Sequence, residues 1–336
     1  MDHRRADWSR RAFVGGLTLG WTAGLLGLDS GQAAAEPPPE TTKLRLPRIP
    51  GICVAPQYVA ADLLMAEGFS DVQYVKLEGD LRALASGEID IAMAFVAPAI
   101  MQVDAGEPIV LLAGVHTGCF ELFGTDQVRA IRDLKGKTVA VWFQGSFQQV
   151  FLASIAAHVG IDPRKDINWV THPSAEAMRL LAEGKIDAYL AFPPEPQELR
   201  ARKIGHVVVN SGRDRPWSQY FCCVVGGNRE FVKKHPVATK RAVRAILKAA
   251  SLCALEPERA ARMIVDRSFT QRYDYALQTM KEISYGKWRE YDPADTIRFY
   301  ALRLREAGMI KSTPQKIIAQ GTDWRFFNEL KKELKG

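Results

Sequence analysis

Residues 84–95 read LASGEIDIAMAF, and residues 181–192 read LAEGKIDAYLAF. Seven of the twelve aligned positions are identical, and the copies are offset by 97 residues. That offset is too long for a solenoid repeat and suits a duplicated half-domain. Both copies read alike. Gly87 and Gly184 stand where a helix must stop, at a position that takes a left-handed backbone. Ile89 and Ile186 open a buried strand, Asp90 and Asp187 are expected to bind neighbouring backbone near its start, and Phe95 and Phe192 close it.

The flanks repeat the same order. In the first half KLRLPRI, DVQYVKL, IDIAMAF and PIVLLAGV read as strands, with helical patterns in APQYVAADLLMAEGF and DLRALASGE. In the second half KTVAVWF, DINWVTH, IDAYLAF and HVVVN are strands, and SFQQVFLASIAAHVG and AEAMRLLAEGK are helices. Strands alternating with helices at this spacing predict parallel sheets built from right-handed crossovers, one open α/β lobe per half. Ligands of such sheets bind beyond the carboxyl ends of the strands. The stretches after Phe95 and Phe192 are therefore expected to face one shared cleft.

The N-terminus reads differently. Arg4, Arg5, Arg10 and Arg11 precede an apolar run over residues 13–28 and the small residues Ala33, Ala34 and Ala35. This is the pattern of an export signal cleaved after residue 35, and SRRAF resembles the twin-arginine type. An ordinary Sec signal and an uncleaved anchor are the alternatives. Residues 36–42, EPPPETT, read as a solvated leader. The chain carries a net charge of +7, spread along its length. No Arg/Lys stripe interleaved with aromatics appears, so nucleic acid is not an expected partner.

Five cysteines, Cys53, Cys119, Cys222, Cys223 and Cys253, follow no metal-binding spacing. Cys222 and Cys223 are neighbours in the strand-like YFCCVVGG, where alternate side chains point to opposite faces. They read as buried small hydrophobes.

The stretches APQYVAADLLMAEGF, LASGEIDIAMAF, DLKGKTVAV and LLAEGKIDAYLAFPPEP, with the return segment VVGGNREFVKKHPVATKRAVRAILKA, resemble the periplasmic substrate-binding proteins of ABC importers for nitrate, sulfonates and taurine, and the related thiamine-pyrimidine-type binding proteins. The resemblance implies a type II periplasmic-binding-protein fold, two open α/β lobes joined by a two-crossing hinge. Lobe I would comprise residues 43–123 and 223–336, and lobe II residues 124–222, with crossings near residues 121–125 and 221–225. The C-terminal helices, the first capped by Asp292 with Pro293 following, would pack back on lobe I. The implied protein is a periplasmic monomer without a cofactor or metal, which passes a small solute to an inner-membrane permease.

The family's use of strand-end loops implies the site. In the loop at 52–58 the candidates are Cys53, Ala55, Pro56 and Gln57; in that at 95–98, Phe95 and Val96. His116 and Thr117 follow in the next loop, then Phe143, Gln144, Gly145 and Ser146. Phe192 and Glu195 end the second copy of the repeat, and Trp217 lies nearby. Free backbone N–H groups around residues 55–57 and 145–147 are expected to hold an anionic oxygen. These loops carry many phenylalanines and no Lys or Arg, which points to an apolar or planar solute with one polar end. Arg213 and Arg215 are the cations that could reach the cleft from beside it. An enzyme on the same fold, such as a pyrimidine-precursor synthase or a dehydratase, is the alternative, with His116, Cys119 and Cys53 the candidate residues to converge.

Overall fold

Asp90 and Asp187 occupy equivalent places in two sheets. The Asp90 N–H donates to the Arg45 carbonyl (2.9 Å), and its carboxylate accepts from the Arg45 N–H (2.7 Å). The Asp187 N–H donates to the Thr138 carbonyl (2.8 Å), and its carboxylate accepts from the Thr138 N–H (2.8 Å). Each aspartate carbonyl then takes an N–H from a third segment, Asn228 in one case and Thr125 in the other, both at 2.9 Å. Gly87 and Gly184 end the preceding helices at φ +76° and +67°, in the left-handed region expected of them.

The computed structural model of the chain describes residues 36–49, 51–77 and 82–335. The export signal read in residues 1–35 lies outside the described residues. Among the described residues ten strands follow in order: β1 Lys43–Arg48, β2 Asp71–Lys76, β3 Ile91–Phe95, β4 Ile109–Thr117, β5 Glu121–Gly124, β6 Thr138–Val141, β7 Asn168–Thr171, β8 Ala188–Ala191, β9 His206–Asn210 and β10 Phe221–Asn228. They pair as β1-β2, β3-β10-β4 and β7-β6-β8-β5-β9. The Asp90–Arg45 bond joins the first two groups edge to edge. The lobe I order β2-β1-β3-β10-β4 thus matches the lobe II order position for position, and the duplication extends to whole sheets.

Two expectations need correction. The sheets are mixed, because β10 runs antiparallel to β3 and β4, and β5 antiparallel to β8 and β9. The strand that enters each lobe from the other comes from the opposite end. The crossings also fall earlier than residues 121–125 and 221–225. β5 belongs wholly to the lobe II sheet and β10 wholly to that of lobe I, which leaves residues 118–120 and 211–220 for the passages. The passages run side by side: the Ser211 N–H donates to the Phe120 carbonyl, and the Phe120 N–H to the Ser211 hydroxyl, both at 2.9 Å.

Asp292 caps the helix Pro293–Glu306 through the Ala294 N–H (2.8 Å). This helix packs on both lobes. Its Thr296 hydroxyl accepts from the Phe221 N–H (3.1 Å), while Tyr300 meets Phe151 of the lobe II helix Phe147–His158. The leader is not wholly solvated either. The Glu40 carboxylate accepts from the Val237 and Ala238 N–H groups (3.0 and 2.9 Å), closing the N-terminus of the helix Pro236–Leu255. No helix among the described residues is long and apolar enough to cross a membrane.

Candidate functional site

The strand-end loops of the two lobes bind one another. The Ile52 N–H donates to the Pro193 carbonyl (3.1 Å), and a Cβ on Gly51 would lie 3.4 Å from the Phe192 ring. Around that junction Phe95 stacks on Phe147 with centroids 4.4 Å apart, Phe147 meets Phe192 edge-on at 4.9 Å, and Phe120 lies 5.0 Å from Phe95. Offset and edge-to-face pairs at these distances add to the apolar burial. The space between Phe95 and Phe192, where the crevice was expected, is therefore filled by rings from both lobes.

Open volume lies to one side of this cluster, in a cavity of about 310 Å3. Met93, Phe95, Pro98 and Met101 form its lobe I wall, and Trp142, Phe143, Gly145, Phe147 and Val150 its lobe II wall. Its polar groups are Arg82, Glu107 and Gln102. The Gln102 Oε1 is buried and has no hydrogen-bond partner among the described residues. A wider recess shares Ile49, Leu77 and Trp142 with the cavity and carries Arg48 and Lys76.

Of the residues expected from the sequence, Phe95, Phe143 and Gly145 line the cavity. The others are placed elsewhere. Gln57 is fully buried; its amide donates to the Pro47 carbonyl (2.7 Å) and accepts from the Met93 N–H (2.8 Å), joining β1 to β3. Ala55 and Pro56 are buried beside it, and Val96 is buried in the first turn of the helix Val96–Asp104. Several N–H groups of the two expected anion holes are already bonded, among them that of Ser146 to the Phe143 carbonyl (3.0 Å). The Ala55 N–H is bonded to the Ile52 carbonyl, Pro56 has no N–H, and the Gly145 N–H donates to the Gln149 side chain (2.6 Å). Ser146 caps the helix Phe147–His158, and Gln144 is exposed, holding Gln149 at 2.8 Å. Trp217 is core, wedged among Phe151, His158 and Phe299. Arg213 edges a small recess of about 30 Å3 at the crossings, and Arg215 is exposed.

Glu195 is buried within lobe II, where its carboxylate accepts from the Tyr189 hydroxyl (2.7 Å) and the Phe192 N–H (3.3 Å). Burial pushes its pKa up to about 7. His116 is fully buried, its Nδ1–H donating to the Thr117 carbonyl (3.1 Å). Cys53, Cys119, Cys222 and Cys223 gather at the junction of loop and crossings, all buried and free. The expectation that neighbours Cys222 and Cys223 face opposite ways fails for a local reason. The β10–β4 register shifts on either side of Cys223, and a bulge re-aims side chains. Hydrogen bonds from the Cys119 and Cys223 thiols hold Cys53 well below the ordinary thiol range.

The lobes are also tied by charge. Arg200, from the lobe II helix Glu195–Ala201, bonds Glu121 of β5 and, at 2.7 Å, Glu282 of the helix Tyr273–Glu282. Burial nonetheless pushes the Glu121 carboxyl above its usual range in spite of the guanidinium.

The sequence reading missed Arg82, Gln102, Arg48 and Lys76. β2 is also a parallel strand, and its carboxyl end at Lys76–Leu77 was the loop to add. Gln102 sits two turns into the helix after β3, beyond any strand-end signal.

Comparison with known proteins agrees with this architecture. The chain is 29% identical over 130 residues to the bicarbonate-binding protein CmpA of Synechococcus elongatus, which is 38% of this chain and 28% of that relative's length. The solved nitrate-binding protein NrtA from Synechocystis superposes with a TM-score of 0.72 at 17% identity, over 89% of this chain and 90% of that one. The alkanesulfonate-binding protein SsuA from Xanthomonas axonopodis, bound to MOPS, gives 0.66 at 18% identity, over 87% and 100%. The desulfurization enzyme DSZB shares the fold at 0.60 and 15% identity, over 87% and 99%. Residues 37–266 match the profile of the NMT1-like family, and with its two-lobed periplasmic-binding fold the chain belongs to that family.

Proposed function

We propose that the chain is a periplasmic solute-binding protein that captures a small organic solute between its lobes and delivers it, as a monomer, to an inner-membrane ABC permease. The observation that carries this reading is the cavity whose two walls come from different lobes. A solute touching both walls stabilises their contact by mass action. The lining suggests its class. Met93, Phe95, Phe143 and Phe147 offer apolar and aromatic surface, and burying a ring against them is worth ~2 kcal/mol. Arg82 and Gln102 offer a cation and an amide to one anionic or polar group. A sulfonate-like or pyrimidine-like solute uses both features, whereas nitrate and bicarbonate, the solutes in the relatives' names, lack the apolar body.

A thermal-shift screen of sulfonates, carboxylates and pyrimidines, with nitrate, bicarbonate and sulfate as rivals, tests the reading. An organic solute should raise the melting temperature with the logarithm of its concentration. Phe143→Ala should then weaken it by more than ~1 kcal/mol, about five-fold. Phe192→Ala, which removes a ring from the lobe junction, should lower stability instead. Nitrate or bicarbonate binding more tightly than every organic candidate would reverse the assignment of solute class. An enzyme on this fold would convert its solute, so recovery of the solute unchanged at one equivalent separates the two classes.

The export route has its own test. Changing both Arg10 and Arg11 to Lys keeps the charge but removes the paired guanidinium groups. Periplasmic yield should fall sharply if the twin-arginine route is used, and unchanged yield would assign export to Sec.

A further inference from the structure

The loop after β1 and the two crossings converge on sulfur. The Sγ atoms of Cys53, Cys119 and Cys223 all lie within 4.8 Å of one another, and all three residues are buried. Cys53 comes from the loop, Cys119 from the first crossing and Cys223 from the strand the second crossing feeds. His116 lies opposite Cys223 in the β4–β10 ladder, fully buried, and its Nε2 has no partner among the described residues. Despite the bulge at Cys223, the imidazole lies close enough to act electrostatically on Cys53 and Cys222. None of these residues lines the 310 Å3 cavity, so the cluster stands apart from the proposed solute site.

We infer that Cys53, Cys119 and Cys223 form a trigonal thiolate site for a soft monovalent cation, Cu(I). A metal–sulfur bond of ~2.3 Å sets three trigonal sulfurs ~4 Å apart, inside the spread observed here. Thiolates select soft ions, and structural zinc takes four ligands. The Cys222 sulfur stands 2.9 Å from that of Cys119 but falls outside the group whose donor atoms all lie within 4.8 Å of one another, and that group includes no carboxylate or imidazole. Each ligating thiol releases its proton to solvent, and the ion enters as Cu(I), so no electron is transferred. Cys119 and Gly118 border the small recess at the crossings, which gives the site a mouth. With the ion bound, the loop and both crossings share one centre, and the folded state gains stability through linkage.

The test uses the reduced full chain without solute. Cu(I) supplied from a chelator complex should be retained at one equivalent through gel filtration. X-ray absorption on the wild-type protein should count three sulfur neighbours, a readout independent of any variant. Cys53→Ser, Cys119→Ser and Cys223→Ser should each lower affinity at least ~100-fold in chelator competition. Cys253→Ser, away from the cluster in the helix Pro236–Leu255, should not. Failure to retain copper, a sulfur count below three, or tighter retention of Zn(II) overturns the proposal. So does a disulfide between Cys119 and Cys222, whose sulfurs stand 2.9 Å apart, in the protein recovered from the periplasm, because it removes one ligand.

Discussion

Gly118→Ala is expected to cost on the order of 3–5 kcal/mol and to lower the melting temperature by roughly 5–10 °C. Gly118 opens the first crossing at φ +37°, in the left-handed region, and a Cβ built there would lie 2.2 Å from the Gly212 Cα and 2.3 Å from its nitrogen. Both obstacles are backbone, so no side-chain rotation relieves them. The neighbouring glycine supplies the control. A Cβ on Gly212 would stand 3.3 Å from the Asn210 Oδ1 and 3.6 Å from the Gly118 carbonyl, at a φ outside the left-handed region. Gly212→Ala is thus expected to cost less than ~1 kcal/mol. Thermal denaturation of the two variants beside the wild type decides it. Equal losses at both positions would show that the passages can separate, and that their close approach is not needed for the fold.

The parts of this architecture that were legible from sequence are those written in local pattern. The repeated string carries its own helix stop, buried strand and aspartate, and the hydrogen bonds of Asp90 and Asp187 repeat as the residues do. What was not legible depends on chain segments distant in sequence. The crossings fall where β5 and β10 pair, and pairing partners leave no mark on the strands themselves. A bulge in β10 brings Cys222 against Cys119, although strict alternation would separate its neighbour pair. Gln57 read as a loop donor because its helix opens a strand-end loop, yet both ends of its amide satisfy the backbone of β1 and β3. Trp217 follows a proline in a polar stretch, and only the packing of the helices Phe147–His158 and Pro293–Glu306 turns it into core. The phenylalanines read as one group from the strand-end loops. Their division into ring cluster and cavity wall is a matter of packing.

Stability should fall as pH rises from about 5 to about 7, and Glu195 should account for most of the fall. Its carboxyl is buried, with a pKa pushed up to about 7 by desolvation against an ordinary value of 4.5. The groups that face it, the Ser174 and Tyr189 hydroxyls and the Phe192 N–H, favour the charged form but offset only part of that cost, and Cys53 nearby adds to it. Below the unfolded pKa both states hold the proton and the group contributes no pH dependence. Between the two values the folded state keeps the proton and the unfolded state has lost it, so each rise in pH favours unfolding. A shift of this size corresponds to ~3 kcal/mol at about 1.4 kcal/mol per pKa unit, fully lost above pH 7. Glu195→Gln keeps the shape and an acceptor oxygen for these donors without a titrating proton. The variant should match the wild type near pH 5, exceed it by ~3 kcal/mol at pH 8, and lose the slope between. Urea denaturation midpoints across that range measure the difference directly. A variant that retains the wild-type slope would show that Glu195 is already ionised in the folded state, with the Tyr189 and Phe192 donors outweighing its burial.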